Sequence, residues 1–127
     1  VARANRANDE ILEGRAAALR ELYSHAADAS LFGGFGGHER GWDRIGPRLD
    51  WVAQSFAGGR CEYQELASDA GEEIGFVVQL ERGEARVSGR EEPLRLDFRV
   101  TMVFRREDGE WRLLHRHADH LAEMEAP

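Results

Sequence analysis

The chain has 127 residues, 42% hydrophobic and 32% charged, with a net charge of −7 at pH 7; this balance fits one globular core burying roughly two-thirds of the unfolded surface. The acidic excess, with both signs interspersed, argues against nucleic acid or an anionic membrane as partner, and no apolar run approaches the roughly 18 residues of a membrane helix. All 17 basic residues are Arg and the single cysteine is Cys61, which excludes lysine Schiff-base chemistry, an internal disulfide and a cysteine-rich zinc site.

No signal-peptide pattern is present, so a reducing, cytoplasmic setting is expected. The chain reads as one continuous domain over residues 1–127, without repeats or low-complexity linkers; it starts at Val1 rather than Met, which leaves room for residues before it. Residues 4–13 are predicted helical and stop at Gly14; a second helix follows, with Ala16, Leu19, Leu22, Tyr23 and Ala26 at helical spacing. LFGGFGG reads as a strand start dissolving into glycine. A third helix carries Trp42, Ile45, Leu49, Val52, Ala53 and Phe56 on one stripe, with Pro47 interrupting its first turns and Gly58-Gly59 ending it.

Everything after Arg60 reads as strands, a four-stranded antiparallel meander built from CEYQELAS, IGFVVQLERGEARVS, LRLDFRVTMVFRR and EWRLLHRHA. Alternation is cleanest in the third of these, where Leu94, Leu96, Phe98, Val100, Met102 and Phe104 share one face. Phe76, Val78 and Leu80 read as the matching apolar face of the segment before it. Helices first and strands after give an α+β layer architecture.

The runs GWDRIGPRL, FVVQLERGE and RVTMVFRREDGEWRLLHRHAD resemble the SnoaL-like branch of the nuclear transport factor two-like (ketosteroid isomerase-like) superfamily, over nearly the whole chain. The resemblance implies a cone-shaped domain, with three N-terminal helices on a curved, mostly antiparallel sheet. It also implies a pocket between the concave sheet face and the helices, and a homodimer through the convex face. It leaves the activity open, since relatives include ketosteroid isomerase, polyketide cyclases, dehydratases and a kinase association domain.

The last strand ends in HRHADH. Read literally this is the signature of dinuclear metallohydrolases, which need further His and Asp ligands along a much longer chain, whereas the other histidines here are His25 and His38. His115, His117 and Asp119 would lie about 7 Å apart at alternate positions of a strand; no metal and no cofactor are expected. Which face His115 and His117 take depends on the preceding turn. A two-residue Asp108-Gly109 turn pairs Met102 with His115 and puts both histidines on the pocket face. A three-residue loop slips the register by one and points Leu114, Arg116 and Ala118 inward. The second is favoured, because in the kinase association domain the positions matching Val78, Met102 and Ala118 carry pocket arginines. Those three are apolar here, so Arg116 becomes the pocket's main cation and needs a partner, such as Asp28, Asp50 or an acidic ligand.

The leading reading is therefore a small-molecule-binding domain with an apolar pocket lined by Tyr23, Phe32, Phe35, Trp42, Phe76, Val78, Val100, Met102, Leu114 and Arg116. The alternatives are an isomerase, cyclase or dehydratase acting on a small apolar carbonyl compound through Tyr23, Arg116 or His117, and a purely structural dimerisation module. Isomerase chemistry would need a carboxylate base and acidic donors inside the pocket, and no strand Asp accompanies Tyr23. FGGFGG lacks the spacing and the Lys of a phosphate loop and reads as a rim loop.

Overall fold

The protein is seen here as a computed structural model that describes residues 1–120. Three helices, α1 (Ala2–Leu12), α2 (Ala17–Leu22) and α3 (Trp42–Ser55), are interleaved with and followed by strands β1 (Ser30–Phe32), β2 (His38–Arg40), β3 (Phe56–Ala70), β4 (Ile74–Val87), β5 (Leu94–Glu107) and β6 (Glu110–His120). The strands form one curved, open six-stranded sheet in the order β2-β1-β6-β5-β4-β3, antiparallel except where β1 runs parallel to β6. The expected α+β cone is present, but with two more strands than the expected meander. Residues 30–40 supply them, as a short hairpin that closes around the glycine loop. No helix among the described residues is long and apolar enough to cross a membrane.

Each helix lies on the sheet through the stripe its spacing defines. Ala4, Ala7 and Ile11 of α1, Leu19 and Leu22 of α2, and Ile45, Leu49 and Ala53 of α3 are buried against Leu96, Phe98, Val100 and Met102 of β5. Helix α2 is shorter than its periodicity suggests. Tyr23 turns extended at φ −67, ψ 144, because it bridges to Leu113 and the Ser24 amide donates to the Leu113 carbonyl at 2.8 Å; sheet pairing outcompetes one more helical turn. Pro47 does not break α3. The carbonyl it orphans belongs to Asp43, which is exposed and open to water. Gly58 and Gly59 do not stop this helix either: it ends at Ser55, and both glycines lie at an irregularity inside β3.

The face of β5 is as its alternation predicts, but that of β4 is reversed. Val77, Gln79 and Glu81 face inward opposite Met102, Val100 and Phe98, so Phe76, Val78 and Leu80 face the convex side opposite Val103, Thr101 and Arg99. The small residues explain the reversal: Gly75, Gly83 and Ala85 share the Gln79 face, which leaves room for neighbouring backbone to approach. A Cβ on Gly83 would meet the Arg60 carbonyl at 1.9 Å.

The β5–β6 connection is the two-residue turn, not the three-residue loop favoured from the sequence. Asp108 (φ 50) and Gly109 (φ 80) both take the positive φ of a type I′ turn, and Arg106 pairs with Trp111. A bulge between Val103 and Phe104 then inserts Leu114 as an extra residue. Pairing resumes one step later, as Met102 with Arg116, Thr101 with His117 and Val100 with Ala118. Arg116 therefore points inward and His115 and His117 outward, as the favoured register had it but for a different reason. Gly83→Ala is expected to cost about 3 kcal/mol, read as the urea midpoint, whereas Gly71→Ala, whose added carbon would find its nearest contact at 3.7 Å, should leave the midpoint nearly unchanged.

Candidate functional site

A cavity of about 600 Å3 opens between the helices and the concave sheet face, at the end of the sheet that carries the Asp108-Gly109 turn. Ala4 of α1 and Leu22 of α2 cover it, Val77, Phe104 and Trp111 line its sheet side, and Arg3, Asp69 and Glu110 stand at its mouth. Trp111 is placed there by the tight turn and is covered by the Arg106 guanidinium, 4.8 Å from its ring centroid. The wall is mostly apolar with few polar groups, as small-molecule sites generally are.

Deeper in the cone, and reaching across β5, Arg116 of β6 makes a bidentate pair with Glu81 of β4. Nη1 donates to Oε2 at 3.0 Å and Nη2 to Oε1 at 2.7 Å, with side chains only 13% and 2% exposed. Gln79 Nε2 donates to Glu81 Oε2 at 2.8 Å and to Asn5 Oδ1 of α1 at 3.0 Å. Tyr63 of β3 holds α1 separately, donating to Asp9 Oδ1 at 2.6 Å and accepting from Asn8 Nδ2 at 3.0 Å. Burial opposes ionisation of Glu81, yet the Arg116 charge and the Arg116 and Gln79 hydrogen bonds outweigh it and hold the carboxyl below its ordinary range. Burial likewise opposes the Arg116 charge, and Glu81 reverses that. Burial, and then Glu81, push the half-buried Cys61 thiol up to about 11, where it is a poor nucleophile. Burial and then the Asp9 contact push the Tyr63 hydroxyl up.

The residues singled out in the sequence scatter rather than converge. Tyr23 is fully buried and its hydroxyl donates to the Ser30 carbonyl at 2.5 Å; burial pushes its ionisation upward, so it sits as a satisfied core tyrosine. Val100 and Met102 are buried inward-facing core. Leu114 is the extra residue of the bulge and only half-buried. Trp42 stacks on His25 at 3.8 Å, between α2 and α3. Phe35 stays exposed in the glycine loop, edge-on to Phe98 at 5.6 Å. Phe76 pairs with Val103 on the convex side yet still borders the cavity, while Val78 faces away from it. Arg116 is inward as expected, but its partner is neither Asp28, which pairs with Arg105, nor Asp50, which pairs with Arg20.

Sequence reading passed over Glu81, Gln79, Val77 and Trp111. The overlooked signal in β4 was the run of glycine and alanine sharing one face with Gln79 and Glu81, since a thin face is one that something packs against.

The convex face gathers the histidines. Phe32 meets His115 at 5.1 Å and His117 at 5.3 Å, and His115 Nδ1 lies 2.7 Å from Ser30 Oγ. Burial and then the neighbouring His117 hold His115 below its usual value. Asp119, the carboxylate of the HRHADH run, is engaged by Arg99 through two bonds of 2.9 Å. Leu66, Ile74, Phe76 and Phe32 are exposed apolar side chains, and all but Leu66, which sits at a β3 bulge, are placed on this face by their strand pairing.

Because the folded carboxyl of Glu81 is held below its unfolded value, its pairing stabilises the fold fully above about pH 4.5 and is lost as pH falls through the lower folded value. Glu81→Gln strands the Arg116 charge and is expected to cost about 3–5 kcal/mol at neutral pH. In urea unfolding across a pH series, the gap between wild type and this variant should narrow below about pH 4.5.

No curated protein matches the chain. Solved structures do. An NTF2-like superfamily protein from Salmonella enterica superposes with a TM-score of 0.83 at 16% identity, over 98% of this chain and 87% of that one. A protein of the NTF2-like family from Streptomyces avermitilis, provisionally named a dehydratase, gives 0.78 at 18% identity over 94% and 91%. An NTF2-like protein of unknown function in nutrient uptake from Rhodospirillum rubrum gives 0.74 at 21% identity over 95% and 94%. At these identities the likeness is one of fold. The sequence itself matches the SnoaL-like domain across residues 2–122, and the chain belongs to that family.

Proposed function

We propose that this SnoaL-like domain binds a small apolar molecule in the cavity between α1, α2 and the concave face, and that it does so as a homodimer joined through the convex face. The observation that carries the first part is the cavity itself. About 600 Å3 of space persists beside Val77, Phe104 and Trp111, within the roughly 300–1,000 Å3 of ordinary ligand sites, and a purely structural module would fill it with its own side chains. The inward-facing carboxylate Glu81 is already engaged by Arg116 and Gln79, which favours binding over proton transfer at this site.

The homodimer is supported by the apolar row Ile74, Phe76, Val78 and Leu80, which the register of β4 turns away from the core. On an open sheet such a row is covered at lowest cost by a second copy of itself.

Two experiments separate these parts. Ala70→Trp puts a large ring on the exposed inner edge of β3, where Ala70 lines the cavity. It should weaken binding of 2-naphthol by about tenfold or more without lowering the urea midpoint; unchanged binding would place the ligand elsewhere. Val78→Arg should turn the species seen by analytical ultracentrifugation from twice the chain mass to one chain mass, leaving 2-naphthol binding intact.

A further inference from the structure

Beyond Val77 at the cavity wall, on the same inward face of β4, lies a polar atom that the described residues leave unanswered. Gln79 is 1% exposed, and its Oε1 is buried without a hydrogen-bond partner among the described residues. The amide cannot simply be turned round. Its Nε2 donates both to Asn5 Oδ1 and to Glu81 Oε2, and reversal would set a carbonyl oxygen against two acceptors. Native proteins answer nearly all such buried groups, so an orphan acceptor beside a cavity calls for a partner, whether ligand or water.

Its position ties it to the cavity. Val77, two residues earlier on the same face of β4, lines the cavity, and so does Ala4, the residue before Asn5 on α1.

Resting on the cavity reading above, we infer that the site selects a neutral apolar molecule with a hydrogen-bond donor, a hydroxyl or amide N–H, at its leading end, and that Gln79 Oε1 accepts that hydrogen bond where the molecule reaches past Val77 and Ala4. Anionic ligands are disfavoured. Arg116, the cation deepest in the cone, is neutralised by Glu81 through two hydrogen bonds, and Asp69 and Glu110 at the mouth oppose the single charge of Arg3 there. A ligand carboxylate would have to displace Glu81 before it gained a partner. Gln79 in this account positions ligand and takes no part in bond making.

The test is isothermal titration of wild type with three probes of one shape: 2-naphthol, 2-methoxynaphthalene and 2-naphthoate. The naphthol should bind about tenfold tighter than its methyl ether, the scale of one buried hydrogen bond to an otherwise unpaired acceptor, and the naphthoate most weakly. In Gln79→Met, which keeps the volume and removes the acceptor, the ratio of naphthol to ether affinity should fall to about one, any change common to both probes reporting the lost Nε2 contacts to Asn5 and Glu81. Equal affinity for naphthol and ether in wild type means that a trapped water already satisfies Oε1, and it overturns the inference without recourse to any variant. So does a preference for naphthol that survives in Gln79→Met, or tightest binding by the naphthoate. If none of the three binds, the cavity reading itself fails and this inference with it, an outcome distinct from binding without discrimination.

Discussion

The Glu81–Arg116 pair is the contact on which the interior of this cone depends. It joins β4 to β6 across the whole width of β5, and its two members are nearly buried. Two charges in so dry a place are tolerable only when bidentate geometry and further hydrogen bonds satisfy them together. Gln79 and Asn5 extend the same network to α1, so one chain of polar contacts ties the first helix to β4 and β6. A slip of either strand by one residue would send one charge to the convex face and leave the other alone in the core. The pair therefore works against wrong pairing, whatever its net contribution to stability.

The pair exists because of a single inserted residue. The tight Asp108-Gly109 turn, continued without interruption, would set His115 and His117 on the concave face and Arg116 outside. Leu114 in the bulge reverses that assignment. The same insertion gathers His115 and His117 with Phe32 on the convex side, beside the apolar row of β4. One local irregularity thus decides the chemistry of both faces, an interior built on an ion pair and an exterior of aromatic, histidine and aliphatic groups.

Fold class was legible because it rests on strong, local signals. The clean alternation of β5, the helical stripe of α3, and the place of the turn at Glu107-Asp108-Gly109, though not its length, each show in a handful of neighbouring letters. The family motifs around TMVFRREDGEWRLLHRH reinforce them. The site was far less legible. The apolar alternation of Phe76, Val78 and Leu80 is genuine, but it belongs to an outer face, and hydrophobic pattern alone does not tell a core from an exposed apolar surface. Tyr23 was placed on a helix whose last turn is lost to a strand contact 90 residues away in sequence. No local window contains that competition.

The sequence by itself determined the helices-then-sheet order, the inward face of β5 and the absence of lysine and disulfide chemistry, since each follows from composition or from near neighbours along the chain. Only the tertiary structure decided that Arg116 faces inward through a bulge, that its partner is Glu81 and that Gln79 has an oxygen unanswered among the described residues. Those facts depend on which residues of β4, β5 and β6 lie opposite one another. That register is set by the turn, the bulge and the packing of α1 acting together, and a period-two pattern is blind to a shift that one extra residue can introduce.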